Sequence, residues 1–307
     1  MKVSIIGAGA MGSLYGGHLS QGKDNVCLVD QWEKHVDKIN TSGLTIMSST
    51  DRFTVHPRAI NTTERCAPAD LVIISVKSNE TEMAAILAEP LMKPETRVLT
   101  LQNGMGNAEQ LAEVLGAERI MVGTTLMGAV LLEKGLVMHG DIKSTQIASW
   151  AGGNEQSLTE IAQMFKRAGL PTTIESNVNS LLWSKLSIHA GLNAVTALTG
   201  ATNKDFLALP EATRLARMIV AEVVAVATAA DIPLLYPNCA QEMMAYAEAM
   251  KEYHSPMLQD ILNKRKTEVS VLNCAVVKEG RKHGIPTPVN EAVALAINAI
   301  EHLYEKL

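Results

Sequence analysis

The stretch LLWSKLSIHAGLNAVTAL places Lys185, His189 and Asn193 at i, i+4 and i+8. On a helix this spacing stacks them into one slowly drifting polar stripe. Around it run Leu181, Leu182, Trp183, Leu186, Ile188, Leu192, Val195 and Leu198. The helix is therefore mostly buried, and its stripe faces either solvent or a site. A lysine turned to a cleft beside such a helix loses hydration and some basicity, which suits it to donate a proton. A carboxylate, Glu268, lies further along in HSPMLQDILNKRKTEVSVLN. It is expected on a helix, either as a cleft residue or as an exposed partner of Lys264 or Lys266.

The other group opens the chain. IIGAGAMGSLYGGHLSQGKDNVCLVDQW carries Gly7, Gly9 and Gly12 in GxGxxG spacing. The motif follows a strand pattern, opens a helix pattern, and is followed by a second strand ending in Asp30. In that context it reads as a dinucleotide turn. Gly7 permits the turn, Gly9 lets a pyrophosphate approach the backbone, and Gly12 lets helix pack on strand. Ala8, Ala10 and Met11 complete the loop, and the helix N-terminus offers N–H groups to the phosphates. Asp30 suits the adenosine ribose and repels a 2′-phosphate. No arginine stands at Gln31, so NAD is favoured over NADP. Lys34 and Lys38 argue the other way, since either can reach a 2′-phosphate. Lys77 in VIISVKS and Asn103 with Gly104 in LTLQNGMGN directly follow buried strands, where ligands bind in parallel sheets.

These residues need elements to hold them. Val3–Ile6, Val26–Val29, Leu71–Val76 and Arg97–Leu101 read as buried strands, and Met11–Ser20 and Thr81–Leu91 as helices. Alternation of this kind gives a parallel sheet with helices on its faces. Gly123–Val130 and Leu136–Ile147 read as two later strands, Ala151–Ser157 as a loop and Leu158–Ala168 as a helix. Beyond Ser180 strands vanish. Helices are expected over Ser180–Leu198, Pro210–Ala230, Cys239–Lys251, Pro256–Lys282 and Glu291–Lys306, with Ser255 and Pro256 as N-cap and first turn. Met218–Ala227 is apolar almost all round and is expected to run through the centre of the helical part. The fold class is α/β: a dinucleotide-binding domain over residues 1–174, then an all-helical substrate and catalytic domain over 175–307.

The chain has 307 residues, 47% hydrophobic and 19% charged, with a net charge of −5. That charge argues against a nucleic-acid partner. No apolar stretch is long and uninterrupted enough to span a bilayer, no secretory leader is seen, and a cytoplasmic protein is expected. The four cysteines, Cys27, Cys66, Cys239 and Cys274, form no CxxC pair and are expected as reduced, partly buried thiols. The histidines are scattered and none pairs with a Cys or acid at ligand spacing, so no metal is expected. The apolar helical part suggests a homodimer.

Together these segments resemble the ketopantoate reductase (2-dehydropantoate 2-reductase) family over essentially the whole chain. The resemblance rests on GAGAMG at Gly7–Gly12, VKS at Val76–Ser78, LQNG at Leu101–Gly104, WSK at Trp183–Lys185, MLQDI at Met257–Ile261, TE at Thr267–Glu268 and HGIPTP at His283–Pro288. It implies a Rossmann-type domain plus a helical domain with the active site in the cleft between them. It also implies reduction of a small 2-oxo acid to an (R)-2-hydroxy acid by a nicotinamide cofactor. Lys185 matches the catalytic lysine and Glu268 the glutamate that orients the hydroxyl. Asn193 and Asn203 match substrate-binding asparagines, and Asn103 and Lys77 residues beside the cofactor and cleft. Family resemblance also admits NADP. This chain departs from the pattern at His189, where the family has asparagine, at Pro256, which displaces the serine to Ser255, at TEVS over Thr267–Ser270, and at Gln31. VDQW at Val29–Trp32 resembles the family's NAD-linked D-2-hydroxy acid dehydrogenases of branched or aromatic substrates, which stand as the alternative activity. A dehydrogenase of a 3-hydroxy acid or an imine, and a non-catalytic NAD(H) sensor, are further alternatives. Ser255, Asn193, Asn203 and Arg265 are the candidates to hold the substrate carboxylate.

Overall fold

A computed structural model describes residues 1–304. The chain divides into two compact units, one of Met1–Gln102 with Gly106–Val178, the other of Asn103–Met105 with Asn179–Leu307.

The first unit runs β1 (Lys2–Ile6), α1 (Ala10–Gln21), β2 (Asn25–Val29), α2 (Glu33–Ser42), β3 (Leu44–Met47), β4 (Arg52–Val55), β5 (Arg58–Ile60), β6 (Leu71–Ile74), α3 (Thr81–Ala88), β7 (Arg97–Thr100), α4 (Asn107–Leu115), β8 (Ile120–Thr125), β9 (Ala129–Glu133), β10 (Leu136–His139), β11 (Thr145–Ser149), α5 (Glu155–Arg167) and β12 (Thr172–Ile174). Eight strands form one sheet in the order β12-β11-β8-β7-β6-β1-β2-β5. Neighbours are parallel except β11, which runs antiparallel to β8. The unbroken apolar run Leu71–Ile74 is buried at all its positions, as a central parallel strand with both faces covered must be. From β1 the chain moves outward to β2 and β5, then returns to β6 on β1's other side. The order therefore reverses between β1 and β6, the place where open α/β sheets take ligands.

The two strands expected over Gly123–Val130 and Leu136–Ile147 are four. The chain leaves the sheet after Thr125, and breaks again between His139 and Thr145. The β9–β10 hairpin between these breaks joins β3 and β4 in a second sheet, ordered β4-β3-β10-β9. Helix α5 starts at Glu155, within the stretch expected as loop, because Asn154 takes a left-handed φ of 66° and turns the chain in early.

The second unit is helical: α6 (Val178–Thr199), α7 (Asn203–Ala208), α8 (Pro210–Ala229), α9 (Cys239–Ala249), α10 (Pro256–Leu262), α11 (Asn273–His283) and α12 (Pro288–Tyr304). The end of the helix expected to reach Lys306 lies outside the described residues. The central helix is α6, buried continuously from Ser180 to Ala197, and not α8. Helix α8 buries one face through Ala216, Ile219, Val220 and Val223 and leaves Met218 46% exposed. Small residues decide this. A Cβ on Gly191 would lie 2.6 Å from Met243 Sδ and 2.9 Å from Val220, so α6 is closely approached by its neighbours there.

The single long helix expected over Pro256–Lys282 is broken. Lys264 adopts a left-handed φ of 53° and the Arg265 N–H closes back on the Asp260 carbonyl at 2.9 Å, ending α10. Ten residues separate it from the start of α11, and Glu268 lies among them. Among the described residues no helix is long and apolar enough to cross a membrane.

Candidate active site

In the first unit the three glycines do three different things. Gly7 has φ +94°, and a Cβ there would meet the Ser75 carbonyl carbon and Val76 Cγ1 at 2.8 Å, at the end of β6. A Cβ on Gly12 would lie 1.9 Å from the Gly7 carbonyl oxygen, so α1 and the turn approach as closely as backbones can. Gly9 differs. Its φ of −64° and ψ of −163° suit any residue, and a Cβ there would meet nothing within 4 Å. Its bareness leaves open space above the N-terminus of α1, which no side chain caps. A pyrophosphate fits this cradle, met by backbone N–H groups of Ala10 and Met11 and the positive end of the helix.

Asp30 follows β2 and is tied to the same turn. Its Oδ2 accepts from the Ala8 N–H at 2.7 Å and its Oδ1 from the Trp32 N–H at 2.8 Å. Each oxygen keeps a lone pair for a ribose hydroxyl. Lys34 and Lys38 are both exposed on α2. Lys77 follows β6, half-buried, with its carbonyl accepting from the Glu80 N–H at 2.9 Å. Next to it Gln102 bonds Thr100 at 3.0 Å and Thr81 at 2.8 Å, which fixes the ends of β6 and β7 where the cofactor would lie.

In the second unit, α6 carries Lys185 at 8% exposure, with Glu268 at 6%. Glu268 is thus neither helical nor exposed. Burial holds the Lys185 ammonium down at about 8, against the opposing pull of the Glu268 carboxylate. Glu268 is held in turn. Asn103 Nδ2 donates to its Oε2 at 3.2 Å. Asn103 is seated because the Met105 N–H reaches the Val271 carbonyl at 2.9 Å, while Gly104, with φ +83°, passes so near Val271 that a Cβ would sit 2.5 Å away. On the other flank Thr267 is anchored to Glu301 through its N–H at 2.8 Å and its hydroxyl at 2.6 Å.

His189 is driven down to about 3 by burial and by the Lys185 charge, so its imidazole is neutral. The Asn193 amide donates to His189 Nδ1 at 3.2 Å, which leaves the proton on Nε2. His189 Nε2, Asn193 Oδ1 and Asn203 Oδ1 are buried without a partner among the described residues. Buried polar atoms without partners are costly, and these three are open to a polar ligand. The structure therefore brings Lys185, Glu268 and Asn103 together, and His189 with Asn193 beside the lysine. Asn203 is anchored through Nδ2 to the Met250 carbonyl at 2.8 Å. Ser255 is committed elsewhere: its hydroxyl meets Thr196 Oγ1 at 2.7 Å and caps α10 through the Leu258 N–H at 3.2 Å. Arg265 is largely exposed and faces Asp260 at 3.5 Å. Sequence reading missed Tyr246, whose ring centroid lies 5.7 Å from that of His189. Only its neighbours in space single it out; along α9 it is one more apolar position.

A switch-point glycine turn with its acid, followed by helices built around a buried lysine–glutamate pair, defines a nicotinamide-dependent oxidoreductase. The chain belongs to the ketopantoate reductase PanE/ApbA family: residues 3–152 match the family's description and residues 177–301 that of its C-terminal part. It is 34% identical over 296 residues to a 2-dehydropantoate 2-reductase of Halobacterium salinarum, covering 96% of this chain and 97% of that one. Among solved structures it is similar to 2-dehydropantoate 2-reductase from Geobacter metallireducens (28% identical, TM-score 0.92, 97% of this chain and 99% of that one). It is also similar to D-mandelate dehydrogenase with NADH and anilino(oxo)acetate (26% identical, TM-score 0.93, 99% of this chain and 100% of that one).

Proposed function

We propose that this protein reduces a 2-oxo acid to the (R)-2-hydroxy acid as a 2-dehydropantoate 2-reductase, with NADH as the preferred cofactor. The observation that carries the reading is the buried Lys185 ammonium, brought to about 8 beside a carboxylate fixed by Asn103. When bound, the nicotinamide supplies a hydride. Lys185 Nζ donates a hydrogen bond to the substrate carbonyl oxygen and passes its proton there as negative charge develops, so the stabilisation falls mainly on the transition state. Glu268 orients the hydroxyl that forms. His189 Nε2–H is left to donate to a substrate oxygen, and Asn193 Oδ1 and Asn203 Oδ1 are left to accept from a substrate hydroxyl. Glycines 7, 9 and 12 and Asp30 seat the dinucleotide, and Asp30 with Gln31 supports NADH over NADPH.

A second reading is an NAD-linked D-2-hydroxy acid dehydrogenase for branched or aromatic substrates. What favours it is the tilted His189–Tyr246 ring pair where the family carries asparagine at 189, together with the similarity to D-mandelate dehydrogenase. Steady-state kinetics with ketopantoate and benzoylformate, each with NADH and NADPH, separates the readings. The first expects the higher kcat/KM on ketopantoate, the second on benzoylformate, and both expect NADH to be at least about tenfold better than NADPH, or about 1.4 kcal/mol. Turnover of neither acid would leave a sensor or a different dehydrogenase. The assembly is a homodimer in this reading, supported by the apolar helical unit with Met218, Leu295 and Leu303 exposed. Light scattering should give twice the mass of the single chain; a single-chain mass at micromolar concentration rejects the dimer.

A further inference from the structure

Two of the four cysteines, distant in sequence, meet in the first unit. Cys27 lies on β2, in register with Ser4 of β1 and Arg58 of β5. Cys66 follows a short helical turn over residues Thr63–Arg65, and its N–H closes that turn onto the Thr63 carbonyl at 2.9 Å. The turn carries the Cys66 sulfur against β2, where Cys27 Sγ and Cys66 Sγ stand 2.6 Å apart. Ser4 bonds the Cys66 sulfur from β1. Both cysteines are half-buried, so a small reagent can reach them.

From this geometry we infer that Cys27 and Cys66 form a reversible dithiol–disulfide site, oxidised by low-molecular-weight disulfides. The backbone already brings the sulfurs to bonding range, the condition most cysteine pairs fail. The pair is also asymmetric in the way that exchange requires. The Cys27 thiol donates to Cys66 and the Arg58 guanidinium adds its charge, which together bring Cys66 down to about 7, while Cys27 is pushed up. A thiol near ambient pH is the effective attacking group in exchange. Cys239 and Cys274 lack such a partner. Cys239 is buried with its thiol directed at the Tyr236 carbonyl, and burial pushes Cys274 up.

The chemistry balances with a small disulfide RSSR as oxidant. The Cys66 thiolate attacks one sulfur of RSSR, forming a mixed disulfide and releasing RS⁻, which takes up the proton Cys66 gave. The Cys27 thiol then loses its proton and attacks the Cys66 sulfur. The protein disulfide forms and a second RS⁻ leaves and is protonated. Two protein thiols are oxidised and one RSSR is reduced to two RSH. The new bond links residues 39 apart and pins the 63–66 turn to β2, the strand that leads into Asp30.

The test treats the native full chain with oxidised glutathione, alkylates the remaining thiols and maps the peptides. Expected is a Cys27–Cys66 cross-linked peptide, about 2 Da lighter than the two free thiol peptides together and lost on adding dithiothreitol. Free thiols fall from four to two. In Cys27→Ser the reaction should stop at the first step, with glutathione retained on Cys66. Native wild-type chain that gives no cross-link, or glutathione spread equally over Cys239 and Cys274, overturns the inference. So does a Cys27→Ser chain, folded by circular dichroism, that carries no adduct on Cys66.

Discussion

Lys185→Ala should lower the turnover of 2-oxo acid by about 10²- to 10⁴-fold, the usual contribution of a positioned general acid. Binding of NADH should be little changed, because the glycines and Asp30 proposed to hold it lie on the other unit. The pH profile gives a second reading of the same group. Reduction needs the ammonium form, so wild-type kcat/KM should be level below about pH 8 and fall about tenfold per pH unit above it. Oxidation of the hydroxy acid needs the neutral amine and should rise through the same region. Stability follows a sign opposite to that of a paired surface lysine. The folded chain releases this proton near 8 and the unfolded chain at the ordinary lysine value of 10.5. Between those values the unfolded state binds more protons, so the contribution of Lys185 to stability rises with pH across the window. Below it, the buried charge is a burden. Lys185→Met should remain inactive, and the Tm of wild type relative to it should rise with pH across that window, while the Glu268 carboxylate left without its ammonium costs the variant stability. Full turnover in either folded variant would remove the lysine from the mechanism.

The second large effect separates two glycines of one motif. Gly9→Val should lower Tm far less than Gly12→Ala, since the backbone there suits any residue and a Cβ meets nothing. Its Kd for NADH should rise by at least about 100-fold, close to 2.8 kcal/mol, because the new side chain fills the phosphate cradle. Gly12→Ala should do the reverse in order. Its methyl would lie 1.9 Å from the Gly7 carbonyl oxygen, which forces turn and helix apart. A loss of about 1–3 kcal/mol or more is expected, read as a lowered Tm. Calorimetry for stability and fluorescence titration with NADH for affinity check both. Normal NADH binding by Gly9→Val would mean that the phosphates do not pass over that residue.

Local features were legible in the chain itself. The glycine turn follows from spacing, the central strands from unbroken apolar runs, and the Lys185 stripe from its i, i+4 repeat. What stayed hidden is non-local. The break at Lys264 depends on the Arg265 N–H returning to Asp260 and on Thr267 being caught by Glu301, far along the chain. With that break unseen, Glu268 read as a helical surface acid. The second sheet escaped because β3 and β4 have four residues each and need β9 and β10 to pair with. Helix α8 read as central because alanines count as apolar, although an exposed alanine loses little. Ser255 read as both cap and ligand, and the structure spends its hydroxyl on Thr196 and the α10 N-terminus. The meeting of Cys27 with Cys66 leaves no trace in spacing at all.

Helix α6 is enclosed on every side from Ser180 to Ala197, and Lys185 sits on it. A segment with no outward face has little mutational latitude, since each substitution is felt by a neighbouring helix, most sharply at Gly191. Divergence toward new substrates is then channelled to the polar stripe of α6 itself, as at His189, and to residues that lean on that helix. Tyr246 on α9 and the irregular stretch around Glu268 can drift while the lysine's platform stays fixed. Descendants of this scaffold would keep one proton-transfer apparatus and vary what is brought to it.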